Sequence, residues 1–448
     1  VLVNFRFGNY LSYNNLAEFS MVAGKARLHP KHIMKYNDIS LLRYASLYGA
    51  NASGKSNLVK AIGFSRQLII KGFHSTVTYD KYCKIFESNK GELTNFEYEI
   101  ILANKIYAYG FAVNLFEKTV HKEWLYSLSN NEEETIFTRE LDGNNNRFEI
   151  NYNFLNLTES DRARFDVYLE DSKELTDSLF ITEINKNKKR FLNNRRLSVL
   201  NILYSWFVRK LEVISPDETP IENGITNLRK DNGIALANFL DAFGTGVKEI
   251  CTKEVDHKDL FKELPPNIVK NILEDFKNDS DSNRAHLRTP DNFYELQKRD
   301  GDVIVNVVNF KHSIDDVFYT LGEESDGTVR LVEIYDILAS KNEKVFVVDE
   351  IDRSLHPNLT YNLIKTYLQK NNKGQLIVTT HEDRLLDLEM LRRDEIWFVE
   401  KQENGESNLY SLEKYKERFD RDVLKAYLEG RYGSIPQFKV LTDSELNM

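Results

Sequence analysis

Gly49, Ala50, Asn51, Ala52, Ser53, Gly54, Lys55 and Ser56 match the pattern GxxxxGK[ST], and no other feature of the chain restricts its fold as far. The pattern works where a strand runs into a glycine loop and the loop opens a helix. There the glycines let backbone N–H groups turn inward around a phosphate, and the helix end adds positive potential. Both neighbours are predicted: a short apolar strand ends near Leu47, and Leu58, Ala61, Ile62, Ser65 and Leu68 follow at helical spacing. Lys55 is placed to reach β and γ phosphates, and the Ser56 hydroxyl to hold Mg²⁺. The plain alternative is a glycine turn with a surface lysine, and the strand and helix context counts against it.

Three further stretches carry polar groups at the ends of predicted elements. Val345, Phe346, Val347 and Val348 form an apolar strand that ends in Asp349 and Glu350, where an open α/β sheet binds ligands. One carboxylate there suits a metal ion and the next suits activation of water, although a solvated strand end looks the same in isolation. Gln375 to Thr380 reads as a neighbouring strand followed by His381, either a structural histidine or a contact to a γ-phosphate. Ser325, Asp326, Gly327 and Thr328 precede a helix and form either an ordinary N-cap or a second anion site. Because the first loop is already a complete phosphate cradle, the second fits a nucleotide held by another subunit.

Around these motifs the chain divides into three. Short apolar runs from Val1 to Val22 read as two strands and a turn, and Phe96 to Leu128 as antiparallel strands turning at Asn104. Asn151 to Pro290 shows helical spacing, as in Leu197, Leu200, Leu203, Phe207 and Leu211, and is expected to form a separate lobe. The β signal returns at Val303, Val305 and Val307. No heptad pattern lasts the three or four repeats of a coiled-coil arm. The expected boundaries are 1–150, 151–300 and 301–448.

Composition narrows the function. The chain has 448 residues, 29% charged and 41% hydrophobic, which is globular. Its net charge of −9 disfavours a surface built wholly for nucleic acid or anionic lipid. Cys83 and Cys251 support neither a disulfide framework nor a cysteine metal site, so a reducing cytoplasm is expected. No run approaches the roughly 18 apolar residues of a membrane span. Lys186, Lys188, Lys189, Arg190, Arg195 and Arg196 form an acid-free basic stretch, either a solvated face or a surface for a phosphate backbone or an acidic protein.

Taken together, GANASGKS, SDGT before a helix, VFVVDEID with SLHP following, and TTH resemble the Walker A, signature, Walker B, D-loop and switch histidine of ABC-type ATPases related to chromosome-maintenance and repair ATPases. With VNFRFGNYLSY, EFSMVAGK, HKEWLYSL, RRDEIWFVEK and YLEGRYGSIP, the chain is more closely similar to bacterial AAA family ATP/GTP phosphatases akin to the overcoming-lysogenization-defect proteins. The resemblance covers Val1 to Leu128 and Asp302 to Pro436. It implies an α/β fold, an ABC-type P-loop ATPase head with a mixed sheet, helices and an antiparallel β subdomain, and an inserted helical lobe.

The same resemblance implies ATP and Mg²⁺ as cofactors. Gly49, Asn51, Ala52, Ser53, Gly54, Lys55, Ser56 and Asn57 would bind the nucleotide, and Ser325, Asp326 and Gly327 would act on it in trans. Ser56 and Asp349 would hold the metal, Glu350 would be the general base, and His381 would sense the γ-phosphate. SDGT departs from the transporter-like LSGGQ, and no glutamine takes the Q-loop place. The 67 residues after His381 (448 − 381) are too few for the TOPRIM nuclease domain of the overcoming-lysogenization-defect proteins, so the expected nuclease or toxin effector is a separate protein. Stand-alone ATPases of this kind belong to two-gene anti-phage or abortive-infection systems such as PARIS, Septu and RloB-paired types. The implied partners are therefore a second copy of the chain, an effector and a phage protein trigger. Two other readings compete: a DNA-binding repair or recombination ATPase, which the acidic balance and missing arms disfavour, and a nucleotide-dependent scaffold.

Overall fold

The computed structural model describes the chain apart from residues 27, 38, 74–75, 130–131, 187–197, 217–232, 279–282, 290, 314, 316, 342, 371–372, 416–422 and 433–448. The basic stretch read from the sequence falls, beyond Lys186, outside the described residues. Two compact units are present: Val1–Pro216 with Lys341–Ile351 and Ile364–Met448, and Asp217–Ser340 with Asp352–Leu363.

The first unit holds two large sheets. Its seven-stranded antiparallel sheet runs in the order Asn145–Ile150, Glu132–Asp142, Thr119–Ser129, Lys105–Asn114, Thr94–Leu102, Leu2–Gly8, Ala17–Ser20. The alternation that predicts these strands is also their burial pattern: Phe96, Tyr98 and Ile100 are buried, while Asn95, Glu97 and Glu99 face the other side. Leu102 pairs with Lys105 across Ala103 and Asn104, both at positive φ, as a two-residue hairpin turn requires.

The six-stranded sheet runs Leu211–Ile214, Val345–Val348, Gln375–Thr379, Tyr44–Tyr48, Ile396–Lys401, Ser407–Ser411, with the first five strands parallel and the last antiparallel. Val345–Val348, Gln375–Thr379 and Tyr44–Tyr48 are buried along their whole length, which is why they read as apolar runs and not as alternations. Helices Lys55–Lys71 and Ser198–Arg209 share a single core with both sheets, built on Phe5, Tyr98, Leu47, Ile62, Phe207 and Val347 among others. Glu123 sits in this unit fully buried. Burial pushes its carboxyl above the ordinary value, against the opposing pull of Arg139 and the amides of Ile181 and Phe180, and those two amides anchor the helix Phe180–Asn185.

The second unit contains the helix Ile234–Ala242, a four-stranded antiparallel sheet and the helix Asp326–Ala339. The sheet order is Glu249–Val255, Asp302–Lys311, Phe293–Arg299, Arg284–Arg288. Helix Pro266–Asn278 packs Val269 and Phe276 into a core with Tyr294, Leu296, Val303, Val305 and Val307.

The α/β class expected from the sequence holds, but the helical lobe over 151–300 needs correction. Helices Glu159–Lys173, Phe180–Asn185 and Ser198–Arg209 lie in the first unit, where Phe165, Phe180, Leu203 and Phe207 join its core. Two of the four strands of the small sheet, Glu249–Val255 and Arg284–Arg288, lie wholly within Asn151 to Pro290, the stretch read as helical, and a third, Phe293–Arg299, lies within the expected 151–300 boundaries of the lobe. Leu211, read as the last position of a helical stripe, instead opens a strand, because the helix stops at Arg209. Among the described residues no helix is long and apolar enough to cross a membrane.

One fully buried side chain ties the two large sheets together. Gln375 Oε1 accepts from Leu2 N at 2.8 Å, and its Nε2 donates to Leu2 O at 2.9 Å and to Leu42 O at 3.1 Å. Gln375→Leu keeps the volume but strands an amide and two carbonyls without water. It should lower the stability of this unit by about 2–4 kcal/mol, read as a lower urea midpoint at unchanged slope.

Candidate active site

Three parallel strands lie side by side, Tyr44–Tyr48, Gln375–Thr379 and Val345–Val348, and their C-terminal ends share one edge. From that edge leave Gly49 to Ser56, Thr380 with His381, and Asp349 with Glu350, so the order of strands gathers motifs that are far apart in the chain. This is the edge at which open α/β sheets take ligands.

The loop from Gly49 to Gly54 passes too close to its surroundings for side chains at either end. A Cβ on Gly49 would stand 2.3 Å from the Val399 carbonyl oxygen and 2.7 Å from Ser53 Oγ, and one on Gly54, at φ 113°, would stand 2.1 Å from Ser407 Oγ. Ala52 takes a left-handed conformation at φ 62°. Lys55 opens the helix and is 6% exposed, with Nζ donating to the Gly49 carbonyl at 2.6 Å and the Ala50 carbonyl at 3.1 Å. Ser53 is buried, and its hydroxyl has no hydrogen-bond partner among the described residues. A buried ammonium wrapped by loop carbonyls and an unsatisfied buried hydroxyl in the same turn suit a phosphate group.

A set of hydroxyls that sequence reasoning missed braces this loop. Ser407 Oγ donates to the Ser53 carbonyl at 2.5 Å and meets Ser12 Oγ at 2.6 Å; Asn57 Nδ2 donates to Ser12 Oγ at 2.7 Å, and Tyr13 Oη to the Gly54 carbonyl at 3.2 Å. Asn57, expected to bind nucleotide, makes its observed contact with this brace.

Asp349 is 2% exposed, and its Oδ1 accepts from Ser56 Oγ at 3.1 Å and from Thr379 Oγ1 at 2.5 Å. The two residues expected to hold a metal therefore converge. Among the described residues no group of three or more His, Cys, Asp or Glu is arranged to hold a metal ion. A hydroxyl and one carboxylate are instead the sparse donor set that Mg²⁺ accepts when water and phosphate oxygens complete its octahedron. Glu350, partly exposed, has φ 50°, a left-handed conformation that costs a non-glycine residue on the order of 1–3 kcal/mol. Its amide donates to Thr379 Oγ1 at 2.8 Å. His381 is exposed at the end of the strand between the loop and the two acids.

Ser325, Asp326 and Gly327 belong to the second unit. Ser325 caps the helix Asp326–Ala339, accepting from Thr328 N at 3.2 Å, and Asp326 is exposed. A Cβ on Gly327 would stand 3.0 Å from the Ser354 carbonyl oxygen.

A glycine cradle that ends in a buried lysine at a helix start, beside a strand-end carboxylate bonded to the next serine, defines a P-loop nucleotide-binding protein. The chain belongs to the family described as "AAA domain, putative AbiEii toxin, Type IV TA system", whose model matches residues 45–196 and 252–387. No curated protein matches the sequence. Among solved structures, the chain aligns with an Smc head bound to the C-winged helix domain of ScpA, at 11% identity over 92% of this chain and 97% of that one, with a TM-score of 0.37. It aligns likewise with the SMC head domain from Thermotoga maritima, at 11% identity over 92% and 98%, with a TM-score of 0.36.

Removing the Lys55 ammonium should cost the loop its buried cation. Lys55→Ala is expected to weaken ATP binding in calorimetry by at least about 100-fold, the scale of a truncated buried charge contact. An unchanged affinity would remove the phosphate-loop reading.

Proposed function

We propose that the chain is an ATP-binding and ATP-hydrolysing switch, active as a dimer or higher oligomer, that controls a separate effector in a bacterial anti-phage defence pair. The observation that carries the ATPase part is the convergence of Ser56, Asp349 and Glu350 beside the Lys55 loop. The defence part rests on the family, whose description names an abortive-infection toxin of a toxin–antitoxin system.

In this reading the loop amides and Lys55 hold the β and γ phosphates, and Ser56 with Asp349 holds Mg²⁺. When bound, that ion supplies charge neutralisation at the phosphate oxygens. Glu350 takes the proton of the attacking water, and His381, on the adjacent strand, contacts the γ-phosphate. Ser325, Asp326 and Gly327 close on the nucleotide of another copy, since the loop in their own chain already supplies a full cradle. Effector and trigger are proteins whose contact with the chain changes with the nucleotide state, so recovery of the neighbouring gene product in a pull-down should depend on ATP.

Glu350→Gln retains a hydrogen-bonding side chain but cannot take a proton. It should bind ATP normally and hydrolyse it roughly 10² to 10⁴ times more slowly. Wild-type turnover would move the base to Asp352 or His381.

Composite sites make a second prediction. Lys55→Ala chains keep a good signature and Gly327→Arg chains a good loop, so each alone should be nearly inactive and a mixture should regain part of the wild-type rate. Gly327→Arg also displaces the Ser354 carbonyl, so exposed Asp326→Arg serves as a companion that spares this contact. Full activity of either arginine variant alone would show that the site is complete in one chain.

A further inference from the structure

The hydrolysis site contains one more buried side chain, and among the described residues its hydroxyl bonds only to the acidic turn. Thr379 ends the strand between the phosphate-loop strand and the acidic strand, and it is fully buried. Its hydroxyl donates to Asp349 Oδ1 at 2.5 Å and accepts the Glu350 amide at 2.8 Å; its carbonyl accepts the Ile351 amide at 3.1 Å. Two successive amides of the turn therefore converge on one residue of the neighbouring strand. The direction of each bond is fixed by chemistry. A carboxylate only accepts and an amide N–H only donates, so the single hydroxyl proton goes to Asp349 and a lone pair to Glu350.

We propose that Thr379 is a positioning residue for ATP hydrolysis, whose hydroxyl holds Glu350 in its left-handed conformation and locks that base to the metal-binding carboxylate. This rests on the reading of Glu350 as general base. A non-glycine residue at φ 50° persists only where its surroundings impose it, and the bonds to Thr379 from residues 350 and 351 impose it here. Freed from the clasp, the backbone at Glu350 relaxes toward the extended or right-handed regions, and its side chain leaves on a different vector. Asp349 keeps its bond from Ser56, so nucleotide and metal stay bound while the base is misplaced. The defect is therefore one of rate and not of affinity. A hydroxyl that merely filled space in the core would change stability and leave kcat alone.

Full-length Thr379→Val, Thr379→Ser and Glu350→Gln proteins are to be compared with wild type in ATP turnover, in Mg²⁺-dependent binding of AMP-PNP, and in hydrogen exchange at the Glu350 amide. Thr379→Val keeps the shape and removes the hydroxyl. It should lower kcat roughly 10- to 100-fold with KM and AMP-PNP affinity within about threefold of wild type. The Glu350 amide should exchange at least about tenfold faster. Thr379→Ser restores the hydroxyl and should bring both quantities back to within about threefold. If Thr379→Val does not fold, Thr379→Ala is measured in its place. Wild-type kcat or wild-type Glu350 exchange without the hydroxyl, while Glu350→Gln is inactive, overturns the role of Thr379 and leaves the ATPase reading intact; failure of the serine to rescue does the same. Wild-type turnover by Glu350→Gln overturns both.

Discussion

A carboxylate almost wholly removed from water has to be satisfied by donors around it, and the Asp349 side chain meets that demand by bonding to two other elements at once. Ser56 comes from the first turn of the helix behind the phosphate loop, and Thr379 from the strand in between. The requirement thereby fixes the relative height of three chain segments to within a hydrogen bond. The parallel register of Val345–Val348 with Gln375–Thr379, and of that strand with Tyr44–Tyr48, is the same constraint seen along the sheet. At the other end of the middle strand Gln375 is equally buried and locks Leu2 and Leu42, so the strand that carries Thr379 is pinned at both ends by polar groups inside an apolar layer.

The site was legible where its chemistry is local. Gly49, Gly54, Lys55 and Ser56 announce a loop by residue type and spacing, and Asp349 and Glu350 end a run of β-branched and aromatic apolar residues that suits a buried strand. Thr379 was not legible as a partner of either acid. Its place depends on strand order, and nothing in the sequence says that its strand lies between the other two. Ser12 and Ser407 were hidden for the same reason: two ordinary loop and strand hydroxyls meet across 395 positions of chain to brace the turn at Ser53 and Gly54.

The fold was legible in proportion to contrast between faces. Phe96, Tyr98 and Ile100, or Val303, Val305 and Val307, alternate cleanly and form strands as expected. Arg284–Arg288 has no fully buried residue and Glu249–Val255 has only Ile250, so these two strands carry almost no apolar signal, and the helical spacing around them masks them in the sequence. The helices from Glu159 to Arg209 show in the sequence as helices, but not as part of the first unit. Their apolar faces complete the core of the two large sheets, a matter of tertiary packing that periodicity does not encode.

The position of Tyr44–Tyr48 in its sheet bears on how the protein is made. Among the described residues its only strand partners are Gln375–Thr379 and Ile396–Lys401, the nearer beginning 327 residues further on (375 − 48). On a ribosome adding roughly 5–20 residues per second, this segment, buried along its whole length in the folded protein, waits on the order of 15–65 s with both edges open. Until residue 379 has emerged the phosphate loop has a helix behind it but neither of its flanking strands. Newly made chains thus expose a β-competent apolar strand for most of synthesis, the condition under which chaperones engage and unassembled chains aggregate.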